Sequence, residues 1–263
     1  MVTTVRFHPR SLVAVLLLSP VAAAIAAEPW TTPLRVRDVT YEFKVQAKSC
    51  ETCDAASQED VDVSWSYSVF IGGDRAETDR LNNWVRAHWS ERLSECGDLS
   101  DQERTRLNDR QLIARVKATA STAGCETTRV MLNATHAFGP FVSFESHEAY
   151  GGVRPSAANT AVLLDQRTMA TVATESLFQP EGLDALSEAI GRNVKKDHPD
   201  CNEGMAIDQM QFTPPARLYG DRNFDPRVWA VCSDGELLEG PLVRRWLRPE
   251  IRAMKVRPLE KVR

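Results

Sequence analysis

The sequence lacks the short motifs that mark the common classes of enzyme. It has no Gly-x-Ser-x-Gly elbow, which disfavours an α/β-hydrolase, and no Ser-x-x-Lys signature of the penicillin-binding type. It has neither a P-loop nor a Gly-x-Gly-x-x-Gly loop for nucleotides. His147-Glu148 is followed by Ala149-Tyr150-Gly151, so the His-Glu-x-x-His zinc motif is absent as well. No motif therefore supports an enzymatic function.

Basic side chains are fewer than acidic ones in this sequence. The chain has 32 basic and 36 acidic side chains, and its net charge at pH 7 is −4. This balance disfavours nucleic acid as a partner, because phosphate binding requires a basic surface. The last 21 residues are the exception, with Glu250 and Glu260 as their only acids. This tail is either a contact for anionic lipid or wall polymer, or a solvated helix face with a frayed end. Its basic residues are Arg244, Arg245, Arg248, Arg252, Lys255, Arg257, Lys261 and Arg263.

One long hydrophobic run occurs, close to the N terminus. Arg6 and Arg10 precede an apolar stretch from Leu12 to Ala24, which is about 13 residues where a membrane span needs about 20. Small residues follow as far as Ala27, and this order of segments is typical of a secretory signal peptide. We predict export with cleavage of residues 1–27, which leaves a periplasmic or secreted protein without a stable membrane span. A retained N-terminal anchor is the alternative.

All six cysteines lie beyond this segment. An even number of cysteines in an oxidising compartment favours disulfides. The preferred pairing joins Cys96 to Cys125, Cys201 to Cys232 and Cys50 to Cys53. The alternatives for Cys50-Glu51-Thr52-Cys53 are a redox pair and half of a zinc site. Polar, loop-like flanks disfavour the redox pair, and no second close Cys or His pair completes a zinc site. We therefore predict structural disulfides, with no metal and no cofactor.

Hydrophobic periodicity predicts strands and helices in clusters. Alternation over residues 39–45 and 61–69 predicts an antiparallel hairpin whose tip, residues 48–60, carries two cysteines. Asp74 begins a helix with Leu81, Trp84, Val85, His88 and Trp89 on one face. Ser100 begins a second helix that Gly124 ends. Two strands follow, over residues 128–138 and 141–150.

The second half repeats this mixture. Strands are expected over residues 160–165, 168–173, 205–212 and 227–232, with helices over 181–195 and from Pro241 onward. Because helices and strands cluster rather than alternate, the fold class is α+β with a largely antiparallel sheet, packed helices and disulfide staples. We expect residues 28–263 to form one module with two sub-halves, about 34–150 and 158–254.

The histidines and nearby acids give the only catalytic or metal candidates. His88 and His136 fall on apolar faces, where a hydrogen-bonded core histidine is the favoured interpretation. Glu145 and His147 lie two residues apart on one predicted strand, a spacing that a metal can use, and Glu148 adjoins them. Solvated strand faces also carry Glu and His, so this group stands as an alternative.

Three segments resemble a known family of domains. They are the loop Tyr150-Gly151-Gly152, the strand and turn of residues 159–168, and the helix entry of residues 175–182. Together they resemble the domain of unknown function found outside the membrane in lysozyme-sensing anti-sigma factors and beside some peptidoglycan deacetylases. The resemblance covers roughly residues 60–254. The chain departs from it at Val153-Arg154, where the family usually has Ala-His, and it shows no sigma-binding region.

The resemblance implies an exported, non-enzymatic binding module. A lysozyme-like protein or peptidoglycan is the candidate ligand, and Tyr150, Gly151, Gly152 and Arg154 form the candidate binding loop. The competing hypothesis is a cell-envelope hydrolase that acts on wall polymer. Its catalytic group would be Glu145, His147 and Glu148, and it requires those three side chains to converge in one pocket.

Overall fold

The computed structural model describes residues 30–45, 60–96, 99–119, 127–150, 156–197, 199, 207, 210–220 and 236–263. The predicted cleavage segment and all of the hairpin tip except Asp60 lie outside these residues. So do five of the six cysteines. Cys96 ends a described helix, but its side chain is not among the described ones. The predicted disulfides therefore fall outside the described part of the chain.

One large, mostly antiparallel sheet forms the centre of the molecule. Its strands are β1 (Leu34–Val45), β2 (Val61–Phe70), β3 (Thr127–Phe138), β4 (Phe141–Tyr150), β5 (Ser156–Asp165), β6 (Ala170–Val172), β10 (Val256–Arg257) and β11 (Leu259–Lys261). Their order is β11-β1-β2-β3-β4-β5-β6, and β10 pairs with β3. The β1–β11 and β2–β3 pairs are parallel, and the others are antiparallel.

The predicted hairpin of β1 and β2 is confirmed. Tyr41 lies opposite Trp65 and Phe43 lies opposite Val63, so the two alternating apolar rows share one face. The alternation changes phase towards the end of β2, where Tyr67 and Ser68 are both buried. The Ser68 hydroxyl donates to Asp38 and accepts from the backbone N–H of Ala134, which satisfies this buried polar group.

Three helices cover the first face of the sheet. They are α1 (Arg75–Cys96), α2 (Asp101–Arg106) and α3 (Asp109–Thr119). The Asp74 carboxylate accepts from the backbone N–H of Glu77, as the predicted cap requires. Leu81, Val85 and Trp89 of α1 are fully buried against β2 and β3. This apolar stripe faces the sheet and builds the first core.

The prediction of one continuous helix from Ser100 to Gly124 is wrong, because this segment forms two helices. Ser100 forms the expected capping box with Glu103, but the helix stops at Arg106. Asn108 then caps a new helix: its Oδ1 accepts from Gln111 N, and its own N–H donates to Gln111 Oε1. This reciprocal capping provides local hydrogen bonds that compete with continuation of the helix.

A second core lies on the opposite face of the sheet, towards β5 and β6. A small antiparallel sheet contributes β7 (Gln211–Thr213), β8 (Arg217–Gly220) and β9 (Glu236–Glu239), and helices α4 (Pro180–Asp197), α5 (Pro241–Trp246) and α6 (Pro249–Ala253) pack with it. Within the described part, the strand predicted at residues 205–212 begins only at Gln211. The one at 227–232 lies outside that part.

The C-terminal tail is folded. The helix expected from Pro241 is divided at Arg248, because the residue before a proline is disfavoured in helical conformation. After α6, the expectation of a frayed end is wrong, since β10 and β11 add to the main sheet. The Arg257 side chain is fully buried and bonds the Glu77 carboxylate at 2.7 and 3.2 Å.

The fold class is therefore mixed, with a large, mostly antiparallel sheet and helices on both faces. Among the described residues, none of the helices combines the length and apolar character that a membrane crossing demands.

Candidate functional site

The structure separates the three residues of the hydrolase hypothesis. All three lie on β4, where successive side chains point to opposite faces. Glu148 shares its face with Phe144, which packs on Trp84 of α1. Glu145 and His147 lie on the other face, where Glu145 is exposed and His147 Nδ1 bonds Asn159 Oδ1. The sheet backbone therefore stands between Glu148 and the other two side chains.

The predicted binding loop follows β4 directly. Tyr150 is the last residue of this strand, and it pairs with Ser156 of β5. Its side chain, together with Gly151, Gly152 and Arg154, lies outside the described residues. The role proposed for this loop thus stays a prediction.

A cleft of about 370 Å³ lies on the α1 side of the sheet. It forms because α1 packs over β2 and β3, and β4, β5 and β6 extend beyond the helix. This volume falls in the range of natural ligand sites. The lining residues come from the helix and from three neighbouring strand segments: His88, Arg92, Ser146, Glu148, Thr160, Ala161, Val162, Leu163, Thr171, Val172 and Ala173.

An ion pair forms one wall of the cleft. Arg92 Nε lies 3.0 Å from Glu148 Oε1, which links the last turns of α1 to β4. The Glu148 side chain is 11% exposed and that of Arg92 is 37% exposed. The carboxylate therefore sits in the wall, and the guanidinium reaches towards solvent at the cleft.

His88 adds a neutral aromatic surface beside this pair. Its ring stacks on Trp84 with centroids 5.1 Å apart and planes inclined by 12°. Burial lowers the pKa of His88 below its usual 6.5, and the Arg92 cation lowers it further, while Glu91 and Glu148 act in the opposite direction. The ring is consequently uncharged at neutral pH.

Hydroxyl groups lie on the floor of the cleft. Ser146 of β4 pairs with Thr160 of β5, so both side chains share the face that α1 leaves open. Thr171 of β6 also lines the cleft, but it pairs with Leu164 and so lies farther along the strands. Within the described part of the chain, no side-chain hydrogen bond joins Ser146 to His88.

The same part of the chain contains no group of three or more His, Cys, Asp and Glu side chains that could hold a metal ion. The arrangement in the cleft is a set of fixed donors and acceptors.

Sequence reasoning identified Glu148 but missed Arg92, and it placed His88 in a closed core. The signal was available in the helical period, since Trp84, His88 and Arg92 recur at intervals of four and so lie along one stripe of α1. The helical period does not show that this stripe of α1 lies beside the part of the sheet that the helix leaves uncovered. His88 is accordingly half-buried rather than enclosed.

Comparison with known proteins gives similarity in structure alone. No protein-family model matches the chain, and no curated protein matches it. A DUF3298 family protein from Pseudomonas aeruginosa PAO1 is similar with a TM-score of 0.45 and 12% identity, over 83% of this chain and 96% of that chain. A DUF3298 family member from Bacteroides fragilis NCTC 9343 has a TM-score of 0.49 and 10% identity, over 84% and 97%. Similarity at this level transfers no function.

Proposed function

We propose that this chain is an exported protein of the cell envelope that works as a binding module, with a segment of peptidoglycan as its ligand. The observation that carries this proposal is the cleft at α1, β4, β5 and β6, whose lining includes Arg92, Glu148 and three hydroxyl-bearing side chains. The N-terminal segment supports export, and the resemblance noted in the sequence supports an envelope ligand.

The chemistry of the cleft fits a wall polymer. Glycan units present hydroxyl and acetamido groups, which need both donors and acceptors, and the peptide stems present carboxylates. Ser146, Thr160 and Thr171 supply neutral hydroxyls that both donate and accept. Arg92 supplies a planar cation suited to a carboxylate. His88, stacked on Trp84, offers a flat ring against which a sugar face could lie.

The size of the cleft favours a polymer segment over a protein partner. Standard protein interfaces bury about 800 Å² on each side, whereas a cleft of about 370 Å³ suits a ligand of a few sugar or amino-acid units. A lysozyme-like protein is the second candidate, and the Tyr150–Arg154 loop is where it would bind. That candidate rests on the family resemblance.

A binding role is favoured over hydrolysis. Hydrolysis of a glycosidic bond generally needs two carboxyl groups on either side of the bond, separated by about 5–10 Å of open space. Glu145 and Glu148 lie on opposite faces of β4, and Glu148 is paired with Arg92. This geometry offers no space between the two carboxylates for a substrate.

The test is co-sedimentation of the protein, purified from the periplasm of an expression host, with purified peptidoglycan. We expect Arg92→Gln to lower the affinity about 10-fold or more, because a hydrogen bond to a charged group contributes about 1.5–3 kcal/mol. Arg80→Gln removes an exposed arginine from the same helix and is the matched control. Binding that Arg92→Gln leaves unchanged, or no binding at all, would contradict the proposal.

A second arm distinguishes the two ligands. Immobilised lysozymes are presented to the same preparation, and capture by lysozyme without binding to peptidoglycan would favour the protein partner. Mass measurement of the purified protein tests cleavage after Ala27.

We also infer three disulfides in the exported protein, joining Cys96 to Cys125, Cys201 to Cys232 and Cys50 to Cys53. The support is the even number of cysteines beyond the export segment. Peptide mapping without reduction identifies the pairs. A free Cys50 and Cys53 dithiol would instead favour the redox alternative.

A further inference from the structure

Four arginines lie within nine residues on α5 and α6, on a surface separate from the cleft lining. They are Arg244, Arg245, Arg248 and Arg252, and we call them the arginine surface. Three are exposed and Arg248 is half-buried. Two of the other four basic residues of the tail have acidic partners, since Arg257 is buried against Glu77 and Lys261 pairs with Asp38.

The arginine surface lacks acidic partners. In the described part of the chain, ten other arginines lie within 4.0 Å of a carboxylate, as do Lys44 and Lys261. None of the four residues of the arginine surface has such a contact there. Glu250, exposed on α6, is the one acid between Arg244 and Arg252, so this segment keeps an excess of positive charge on a chain whose net charge is −4.

Backbone carbonyls and an aromatic ring hold these side chains in place. Arg252 Nη2 donates to the carbonyl oxygens of Arg245 and Leu247, at 2.9 and 3.0 Å, and Arg248 Nε donates to that of Phe178 at 2.9 Å. The Arg245 guanidinium lies 4.9 Å from the centre of the Trp246 ring. The carbonyls fix Arg248 and Arg252 without neutralising their charge.

Apolar groups accompany the charges. Leu242 and Trp246, one helical turn apart on α5, are only half-buried beside the arginines. Trp246 itself is fixed, because its ring packs so closely on Gly182 that a Cβ there would lie 2.5 Å from it. A surface that mixes fixed arginines with a half-exposed tryptophan and leucine is typical of contact with the headgroup region of a bilayer.

We propose that the arginine surface binds the phosphate headgroups of an anionic lipid bilayer. The guanidinium plane matches phosphate oxygens in pairs. Arg248 and Arg252 are anchored at separate backbone carbonyls and Arg245 lies over the Trp246 ring, so the charges are spread along two helices and suit several neighbouring phosphates rather than one enclosed ion. This contact would hold the molecule at a membrane surface independently of any ligand in the cleft. The interaction is local, since salt screens exposed charges beyond about 8 Å.

The test is co-sedimentation of the full chain, as it is recovered from the periplasm, with vesicles of phosphatidylglycerol and phosphatidylcholine or of phosphatidylcholine alone. We expect binding to the anionic vesicles at low salt and little to the neutral ones. Replacing Arg244 and Arg245 together by Gln should weaken binding about 25-fold, because each basic residue near such a surface contributes about 5-fold. Neither side chain donates a hydrogen bond within the described structure, so the variant is expected to fold.

Two controls make the result specific. Arg80→Gln with Arg110→Gln removes the same charge from exposed positions on α1 and α3 and should leave binding unchanged. Arg244→Lys with Arg245→Lys should retain most of it. Equal loss in the Arg80 and Arg110 variant, equal binding to neutral vesicles, or retention on an acidic polysaccharide but not on vesicles would overturn the proposal. Peptidoglycan binding by the same variants is measured in parallel, and unchanged binding there is expected; an equal loss on peptidoglycan would assign the arginine surface to wall polymer and overturn the proposal.

Discussion

Helix α1 carries an arginine–glutamate pair at each end, and the two pairs differ in what surrounds them. At its first turn, Glu77 meets Arg257 of β10, and the two side chains are 10% and 0% exposed. Near its last turns, Arg92 meets Glu148 of β4, and the guanidinium is 37% exposed at the cleft. The same pairing thus occurs in two settings: the first pair is sealed inside the fold, and the second is open to solvent at the cleft.

The sealed pair is surrounded by further bonds. Arg257 donates from Nε and Nη2 to the carbonyl oxygen of Thr32, and its guanidinium lies 5.8 Å from the Trp30 ring centre. One side chain therefore joins the N-terminal segment, α1 and the C-terminal strands. Burying a charge is tolerable only with this degree of satisfaction.

The largest expected effect comes from breaking the sealed pair. Arg257→Ala should lower the free energy of unfolding by about 3–5 kcal/mol, because it leaves the Glu77 carboxylate buried without its cation. Denaturant unfolding measures this. Arg35→Ala, at an exposed pair with Glu260, is the control and should cost less than about 1 kcal/mol. Arg257→Met combined with Glu77→Leu should lower the free energy of unfolding less than Arg257→Ala alone. If the double variant, Arg257→Ala and Arg35→Ala all lost similar amounts of stability, burial of an unpaired charge would not be the cause.

Breaking the open pair of Arg92 and Glu148 should lower the free energy of unfolding by a smaller amount, and by different amounts for the two residues. Arg92→Gln should lower the free energy of unfolding by about 1–2 kcal/mol, since it removes the cation from the more buried partner, Glu148. Glu148→Gln should cost about 1 kcal/mol or less, because Arg92 can turn towards solvent. Thermal and denaturant unfolding of both variants measure the difference. If Glu148→Gln lowered the free energy of unfolding more than Arg92→Gln, Arg92 rather than Glu148 would be the residue that depends on its partner.

Sequence patterns predicted the parts of the fold that depend on neighbours along the chain. The β1–β2 hairpin, the Asp74 cap, the Ser100 capping box and the β3–β4 turn at Gly139-Pro140 all follow from local periodicity and capping. The breaks at Asn108 and Pro249 were also encoded locally, in a second cap and a proline, and were overlooked. The second cap and the proline are the local signals that set both helix ends.

The site could not be predicted in the same way, because it depends on contacts between distant segments. Arg92 of α1 and Glu148 of β4 are separated along the chain by α2, α3 and β3. The sealed pair has the same property, since Arg257 and Glu77 are 180 residues apart. The cleft arises where β5 and β6 extend beyond α1, which is a property of sheet order and helix placement together. Alternation alone did place Glu145 and His147 on one face and Glu148 on the other. The catalytic group of Glu145, His147 and Glu148 was inferred only from their proximity in the sequence.

The smallest effect expected is a pH dependence from the histidine beside the open pair. Burial and Arg92 lower the pKa of His88 from 6.5, so the unfolded chain binds this proton more readily than the folded one. Stability should therefore be full above pH 6.5 and fall as the pH drops through the lower pKa of the folded state. His136, whose pKa burial and Arg217 also lower, should act in the same direction. The carboxyl groups of Asp165 and Glu103, whose pKa values ion pairs lower, lose their stabilising effect only at more acidic pH. Denaturant unfolding between about pH 5 and 7 thus isolates the histidines.

The slope of unfolding free energy against pH in this range should be flatter in His88→Gln, and flatter still when His136→Gln is added. A slope in His88→Gln equal to that of the unmodified chain would mean that the cleft is open enough to solvate a charged ring. His88 would then belong to the exposed surface rather than to the wall of the site.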